Sequence, residues 1–248
     1  MSVSKQRLDL LLVSRGLFES REKAQRAIMA GEVMVGEQVI DKAGTKVAED
    51  AGVTVKAAER YVGRGGLKLE GALQAFGVHP EGMVCLDIGA STGGFTDCLL
   101  QHGAAKVYAI DVGHSQLAWK IRSDPRVVVR EHLNARHLTA DDIPEPIDLC
   151  VIDVSFISLT LILPPAMQLL RPDGVLIPLI KPQFELRREE VGRGGVVRDP
   201  ELHQRAVSKI QCFVREELKR AWVGCVPSPI RGGEGNQEFL ACVRNVSA

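Results

Sequence analysis

Two hydrophobic patterns divide the chain. Up to about residue 56, short stretches of helical spacing precede short stretches of alternation, which predicts two small helices and a small sheet. These segments lie at 8–12, 21–30, 32–35, 38–40 and 53–55. Ser20 is placed to cap the second helix and Gly31 to end it. Because a segment of about 56 residues buries little apolar surface, we expect it to depend on the neighbouring part of the chain for stability.

Further along the chain, short apolar runs alternate with segments of helical spacing. The predicted strands lie at 84–88, 106–110, 126–129, 149–154, 175–180, 222–226 and 238–243. The predicted helices lie at 95–102, 159–170 and 200–220. Alternation of this kind is typical of βαβ units around a buried parallel sheet. We therefore expect an α/β fold whose last strand runs antiparallel, preceded by a small α+β domain.

A glycine-rich stretch separates the two patterns. Residues 59–66 include Gly63, Gly65 and Gly66 and have few apolar side chains that could be buried. The sequence thus predicts a first domain over 1–58, a linker over 59–66 and a second domain over 67–248.

Composition narrows the class of protein. The 248 residues carry 31 basic and 31 acidic side chains, so any binding to nucleic acid depends on local patches rather than on net charge. The apolar runs are far shorter than the roughly 20 residues that span a bilayer, and the N-terminus lacks a signal-peptide core. The six cysteines form no C-x-x-C pair and have no zinc spacing. We expect a cytoplasmic protein with reduced thiols, no metal and no membrane partner.

The strongest local signal is Leu86-Asp-Ile-Gly-Ala-Ser-Thr-Gly-Gly-Phe95, a glycine-rich turn between a strand and a helix. Ligands of parallel sheets bind at the carboxyl ends of the strands, where glycines let the backbone approach them. The spacing G-x-x-x-G-G fits an adenosyl-methionine site better than a dinucleotide. Asp87 can hold a ligand amino group, and Asp111, at the end of the next strand, can bind ribose hydroxyls.

These motifs resemble the TlyA (hemolysin A) family of FtsJ-like ribosomal RNA 2′-O-methyltransferases. Besides the glycine turn, five stretches match in order: 63–68, 153–158, 180–185, 194–199 and 235–240. The N-terminal part, with Arg7-Leu-Asp9, Ser20, Arg21 and Ala24, resembles the alpha-L RNA-binding fold.

The resemblance implies a Rossmann-like class I methyltransferase sheet, S-adenosylmethionine as cofactor, and methyl transfer to a cytidine 2′-hydroxyl. The implied substrate is ribosomal RNA within ribosomal subunits; whether it is in the large subunit alone or in both stays open. The implied cofactor-binding residues are Asp87, Gly89, Ala90, Ser91, Gly93, Gly94, Phe95, Asp111, Val112 and Asn134.

A Lys-Asp-Lys-Glu tetrad of the FtsJ-like enzymes falls on Lys68, Asp153, Lys181 and Glu238. Asp153 and Lys181 follow predicted parallel strands, so they are expected at the same rim as the glycine turn. Our hypothesis is that Lys181 orients and deprotonates the 2′-hydroxyl. The two carboxylates would position the lysines and the sulfonium, while Lys68 would help to hold the ribose or its phosphate.

The first thirty residues carry six basic and three acidic side chains, a modest basic patch suited to phosphate contacts. The predicted RNA-binding residues are Lys5, Arg7, Ser20, Arg21, Lys23 and Arg64. Three other functions are considered. A membrane-active hemolysin is disfavoured because the sequence has no segment long enough to span a bilayer. A nucleotide-dependent oxidoreductase would need another glycine spacing. A non-catalytic RNA-binding ribosome factor can be distinguished from an enzyme only by an assay.

Overall fold

The computed structural model describes residues 4–56 and 59–247. The chain divides into two units, Met1–Glu59 and Arg60–Ala248. The predicted domain limits at residues 1, 58 and 248 lie outside the described residues, as do residues 2, 3 and 57.

Within residues 4–56, the first unit contains five short strands and two helices. They are β1 (Lys5–Arg7), α1 (Leu8–Ser14), α2 (Arg21–Met29), β2 (Val33–Val35), β3 (Gln38–Val39), β4 (Lys46–Ala48) and β5 (Val53–Val55). Strand β2 pairs antiparallel with both β3 and β5, which is the sheet that the sequence predicted. Leu8, Leu12 and Ile28 are fully buried between the helices and this sheet.

A second pairing in this unit was not predicted. Strands β1 and β4 form an antiparallel ribbon in which Arg7 lies opposite Lys46. The sequence gives little sign of it because Lys5-Gln-Arg7 is wholly polar and too short to show alternation.

The second unit alternates strands with helices. They are α3 (Gly65–Phe76), β6 (Val84–Ile88), α4 (Gly94–Gln101), β7 (Lys106–Ile110), α5 (Trp119–Arg122), β8 (Val127–Arg130), β9 (Ile147–Ile152), α6 (Leu163–Leu169), β10 (Leu170–Ile180), α7 (Pro182–Glu185), α8 (Pro200–Cys212), β11 (Arg220–Pro227) and β12 (Phe239–Ser247).

These strands form one sheet in the order β11-β12-β10-β9-β6-β7-β8. Strand β12 runs antiparallel to both of its neighbours, and the other pairings in this sheet are parallel. The predicted parallel sheet with one antiparallel strand is therefore confirmed. The strand order reverses between β6 and β9, and the carboxyl ends of strands at such a reversal are where ligands bind.

Two predicted helices are shorter than expected. The helix predicted over 200–220 ends at Cys212, where a π-helical turn, Phe213–Glu217, leads to β11. The segment 159–170 divides into a 3₁₀ turn, Leu159–Leu161, and α6. In the described part of the chain, no helix is long and apolar enough to cross a membrane.

The segment predicted as a linker differs most from expectation. Residues from Arg60 onward belong to the second unit, and α3 begins at Gly65. Tyr61 is only 3% exposed, and its ring occupies the space where a side chain on Gly66 would project. The glycines here allow close packing rather than free rotation.

A side chain on Gly66 should therefore destabilise the second unit. A Cβ at this position would lie 2.2 Å from Cγ of Tyr61, so Gly66→Ala must displace the ring and its backbone. We expect a loss of about 1–3 kcal/mol in the free energy of unfolding by urea. The matched control is Gly233→Ala, whose Cβ would meet no atom within 4 Å. Equal stability of the two variants would show that Tyr61 does not pack as described.

Candidate active site

The glycine turn begins where β6 ends, and it packs against the end of β9. Gly89 has φ of +85°, and a Cβ there would lie 2.3 Å from the carbonyl oxygen of Asp153. The backbone N–H groups of Gly89 and Ala90 donate to the carbonyl of Ile110, at 2.9 and 3.1 Å. Only glycine permits this approach, so the turn holds the ends of three adjacent strands together.

Asp111 anchors the turn to the end of β7. One carboxylate oxygen accepts the N–H of Ser91 at 2.9 Å, and the other accepts the N–H of Gly113 at 2.8 Å. Each carboxylate oxygen has a second lone pair, so Asp111 can still accept hydrogen bonds from a ligand.

Two of the cavities beside the turn share Gly89, Ser91 and Asp153 among their lining residues. The larger one, of about 340 Å³, is within the size range of small-molecule sites. Together they are lined by eight predicted cofactor-binding residues: Gly89, Ala90, Ser91, Gly94, Phe95, Asp111, Val112 and Asn134.

The other two predicted cofactor residues lie behind the cavities. Gly93 has φ of +97° and packs against Leu117 and Ile121, so the helix α4 can begin close to α5. Asp87 is fully buried, and one of its oxygens accepts the hydroxyl of Thr96 at 2.6 Å. Its other oxygen has no hydrogen-bond partner among the described residues. Burial raises the pKa of Asp87 to about 7.

The four tetrad residues form two ion pairs. Nζ of Lys181 lies 2.6 Å from Oδ1 of Asp153, and Nζ of Lys68 lies 2.5 Å from Oε2 of Glu238. The side chains of Lys68 and Glu238 are only 10% and 2% exposed. Neither lysine is a solvated surface residue.

Strand register explains why these residues meet. In the pairing of β10 with β12, Ile180 lies opposite Phe239, so the adjacent residues Lys181 and Glu238 come to the same rim. Helix α3 begins beside this rim, since a Cβ on Gly65 would lie 3.8 Å from Oδ2 of Asp153. Lys68 follows Gly65 by about one helical turn.

Two residues that the sequence analysis did not single out complete the rim. The hydroxyl of Ser155 accepts a hydrogen bond from Nζ of Lys181 at 2.9 Å. The buried carboxylate of Glu185 accepts from the hydroxyl of Ser158 at 2.6 Å and from the N–H of Leu159 at 2.7 Å. Both lie in matched motifs, but the motifs do not show which member makes these contacts.

In the first unit, a buried carboxylate organises two of the predicted RNA-binding arginines. Asp9 is inaccessible to solvent and accepts from Arg7 at 2.9 and 3.0 Å, from Arg21 at 2.9 Å and from Gln25 at 2.7 Å. These donors, led by Arg7, hold the pKa of Asp9 well below its usual range. Both guanidinium groups remain partly exposed and keep further N–H groups for phosphate oxygens.

The remaining predicted RNA-binding residues differ in their surroundings. Lys5 is exposed on β1, and Lys23 is exposed but paired with Glu19. Ser20 caps α2 by accepting the N–H of Lys23, so its hydroxyl has a structural role. Arg64, in the second unit, donates to the carbonyl of Arg231 at 2.7 Å. Among the described residues, no group of three or more His, Cys, Asp and Glu side chains is placed to hold a metal.

Comparison with known proteins gives two domain families. The model of the FtsJ-like methyltransferases matches residues 61–245, and the model of the S4 domain matches residues 6–53.

Similar proteins cover almost the whole chain. A Bacillus subtilis protein named "Putative rRNA methyltransferase YqxC" is 52% identical over 97% of this chain and 86% of its own. The Mycobacterium tuberculosis protein named "16S/23S rRNA (cytidine-2'-O)-methyltransferase TlyA" is 46% identical over 96% and 89%, respectively. A solved structure named "Putative hemolysin", from Streptococcus thermophilus, has a TM-score of 0.74 at 44% identity, over 98% of this chain and 89% of that one. The resemblance drawn from the motifs is confirmed.

The raised pKa of Asp87 predicts a pH-dependent stability. Its usual value is 3.8 and its value in the folded protein is about 7, so the folded protein binds more protons than the unfolded chain between them. The free energy of unfolding should therefore fall as pH rises through this window. Asp87→Asn cannot ionise, so between about pH 5 and 8 its stability should fall less than that of the wild type, by on the order of 3 kcal/mol.

Urea denaturation at several pH values measures this difference. Asp173→Asn is the matched control, because Asp173 is exposed and its φ of +69° suits asparagine as well as aspartate. The same pH dependence in all three proteins would contradict the assignment to Asp87.

Proposed function

Because this chain belongs to the FtsJ-like methyltransferase family, we propose that it transfers a methyl group from S-adenosylmethionine to a cytidine 2′-hydroxyl in ribosomal RNA. One observation supports this most: two lysine–carboxylate pairs meet at the rim beside the glycine turn. Relatives named as rRNA methyltransferases support the substrate class. Such a substrate would place the protein in the cytoplasm.

The cavities beside the turn suit S-adenosylmethionine. Asp111 would bind the ribose hydroxyls with its free lone pairs, and Asn134 and Val112 would flank the adenosine. The glycine turn and Phe95 line the smaller cavity, which would take the methionine part. When bound, this cofactor supplies a methyl group on a positively charged sulfur: the new C–O bond forms as the C–S bond breaks, with its electron pair left on sulfur.

The protein's own contribution is to orient the hydroxyl and to take its proton. Lys181 would accept the 2′-hydroxyl proton at Nζ, which requires the lysine in its neutral form. Asp153 holds that Nζ at 2.6 Å and would then stabilise the ammonium. Lys68, paired with Glu238, would face the ribose or its phosphate. Holding the hydroxyl in line with the methyl group can itself supply a large part of the rate.

The first unit would anchor the RNA. The described arrangement places the guanidinium groups of Arg7 and Arg21 on one buried carboxylate, Asp9. Such fixed, partly exposed guanidinium groups suit the phosphates of folded RNA, whose shape and backbone are what proteins read. We therefore assign RNA binding to the first unit and methyl transfer to the second.

A cysteine-dependent methylation of carbon has less support. Cys150 lies within β9, is fully buried, and its burial raises the pKa of the thiol well above the usual value. It is therefore held as a neutral thiol, whereas the thiolate is the nucleophile.

Lys181→Ala should abolish most of the methyl transfer. Loss of the proton acceptor should lower the single-turnover rate by about 100-fold or more, with little change in cofactor affinity. The measurement is transfer of tritiated methyl from S-adenosylmethionine to purified ribosomal subunits, followed by RNA digestion to show whether ribose carries the label.

The matched control is Lys106→Ala, which removes a lysine that is also paired with a carboxylate, Glu145, but at the amino end of β7. It should retain the wild-type rate. Failure of the wild-type protein to label subunits, intact ribosomes or free RNA, despite cofactor binding, would favour a non-catalytic RNA-binding factor. Label on a base would contradict ribose methylation.

Arg21→Ala should weaken RNA binding without changing the chemistry. Removing one phosphate contact should raise KM for the subunit about fivefold to tenfold and lower the salt dependence of log Kd by about one. Arg26→Ala is the control, because Arg26 lies on the same helix, roughly 140° away around its axis. Equal effects of both changes would indicate general electrostatic attraction rather than this site.

A further inference from the structure

Nζ of Lys181 has two neighbours at the rim, and the proposed mechanism uses only one. Oδ1 of Asp153 lies at 2.6 Å, and Oγ of Ser155 lies at 2.9 Å and accepts a hydrogen bond from Nζ. The Lys181 side chain is 11% exposed, whereas Ser155 is exposed and lines the larger cavity. Ser155 thus connects the lysine to the cavity that is proposed above for the cofactor.

We propose that Ser155 is a positioning residue that fixes the rotation of the Lys181 amine about its terminal C–N bond. A neutral amine has two N–H groups and one lone pair, arranged tetrahedrally with the chain carbon. Asp153 attracts the amine by charge, but among the described residues its Oδ1 accepts no hydrogen bond, so Asp153 alone does not fix an N–H of the amine. Ser155 accepts one N–H, so the lone pair is confined to the two remaining positions.

The same arrangement suits the product of proton transfer. This inference rests on the proposed function, in which Lys181 takes the 2′-hydroxyl proton. The incoming proton occupies one of these two positions while the hydrogen bond to Ser155 and the ion pair with Asp153 persist. The amine therefore needs no rotation during the step, and pre-organised geometry of this kind is what raises a rate.

The backbone around Ser155 is held on both sides. Before it, the N–H of Asp153 donates to the carbonyl of Ile88 at 2.9 Å. After it, the chain turns at Phe156, whose φ is +63°, and the turn at Ser158 is held by the buried carboxylate of Glu185. Because the segment is fixed at both ends, the hydroxyl can serve as a rigid acceptor.

Two variants separate the hydroxyl from the rest of the side chain. Ser155→Ala removes the acceptor, and Ser155→Thr keeps it. In protein labelled with ¹⁵N-lysine and free of cofactor, NMR reports how fast the Lys181 Nζ hydrogens exchange with water. We expect Ser155→Ala to raise that exchange rate severalfold and Ser155→Thr to leave it near the wild-type value. Ser208→Ala, which removes a serine hydroxyl from α8, is the control for both assays.

The kinetic assay tests the role of this contact. Ser155→Ala should lower the single-turnover rate about fivefold to tenfold, the effect of one lost hydrogen bond, with KM and cofactor affinity changed less than about twofold. Ser155→Thr should recover most of that rate. A wild-type rate in Ser155→Ala, a loss confined to KM, or a threonine variant as slow as the alanine variant would overturn the positioning role.

The two assays distinguish failure of the proposed function from failure of the Ser155 contact. If the wild-type protein methylates no RNA, the proposed function is wrong, and so is the positioning role that rests on it. If methyl transfer occurs but Lys181 exchange is unchanged in Ser155→Ala, the contact itself is overturned and the proposed function stands.

Discussion

The contact between the glycine turn and the end of β9 determines where the other groups of the site lie. Gly89 approaches the carbonyl of Asp153 more closely than any side chain would permit. The turn therefore sits directly on the residue that holds Lys181, and the cavities open along this contact. The glycine turn and Lys181 are positioned by one piece of backbone packing rather than by separate elements.

The second constraint is that charge is buried at this rim. Removing Lys68 and Glu238 from water costs free energy, which their mutual attraction at 2.5 Å offsets only in part. A pair of this kind is weak evidence for stability. What it provides is a fixed orientation, since neither side chain can turn toward solvent without leaving a buried charge unpaired. This free-energy cost of desolvation arises at the end of the sheet where the substrate would enter.

The sequence predicted the sheet well because its strands are apolar runs separated by turn signals, as at Val84–Ile88 and Lys106–Ile110. The glycine turn and its cavity followed from spacing alone. The pairing within the tetrad did not, because it depends on strand register and on the start of α3. The contact of Ser155 with Lys181 could not be predicted either, since a sequence motif does not show which partner a serine hydroxyl contacts. Tyr61 was missed because the surrounding glycines indicated flexibility, whereas they permit tight packing.

The separation of Lys68 and Glu238 along the chain sets the order in which the site can be completed. They are 170 residues apart, so the pair closes only after β12 has been synthesised and has joined the sheet. Until then α3 carries a lysine without its carboxylate, although β6, β7 and β9 and the turn between them are already available. Contacts of such long range form late in folding. A chain still emerging from the ribosome would thus have the cavity beside the glycine turn before it has the pair of Lys68 and Glu238.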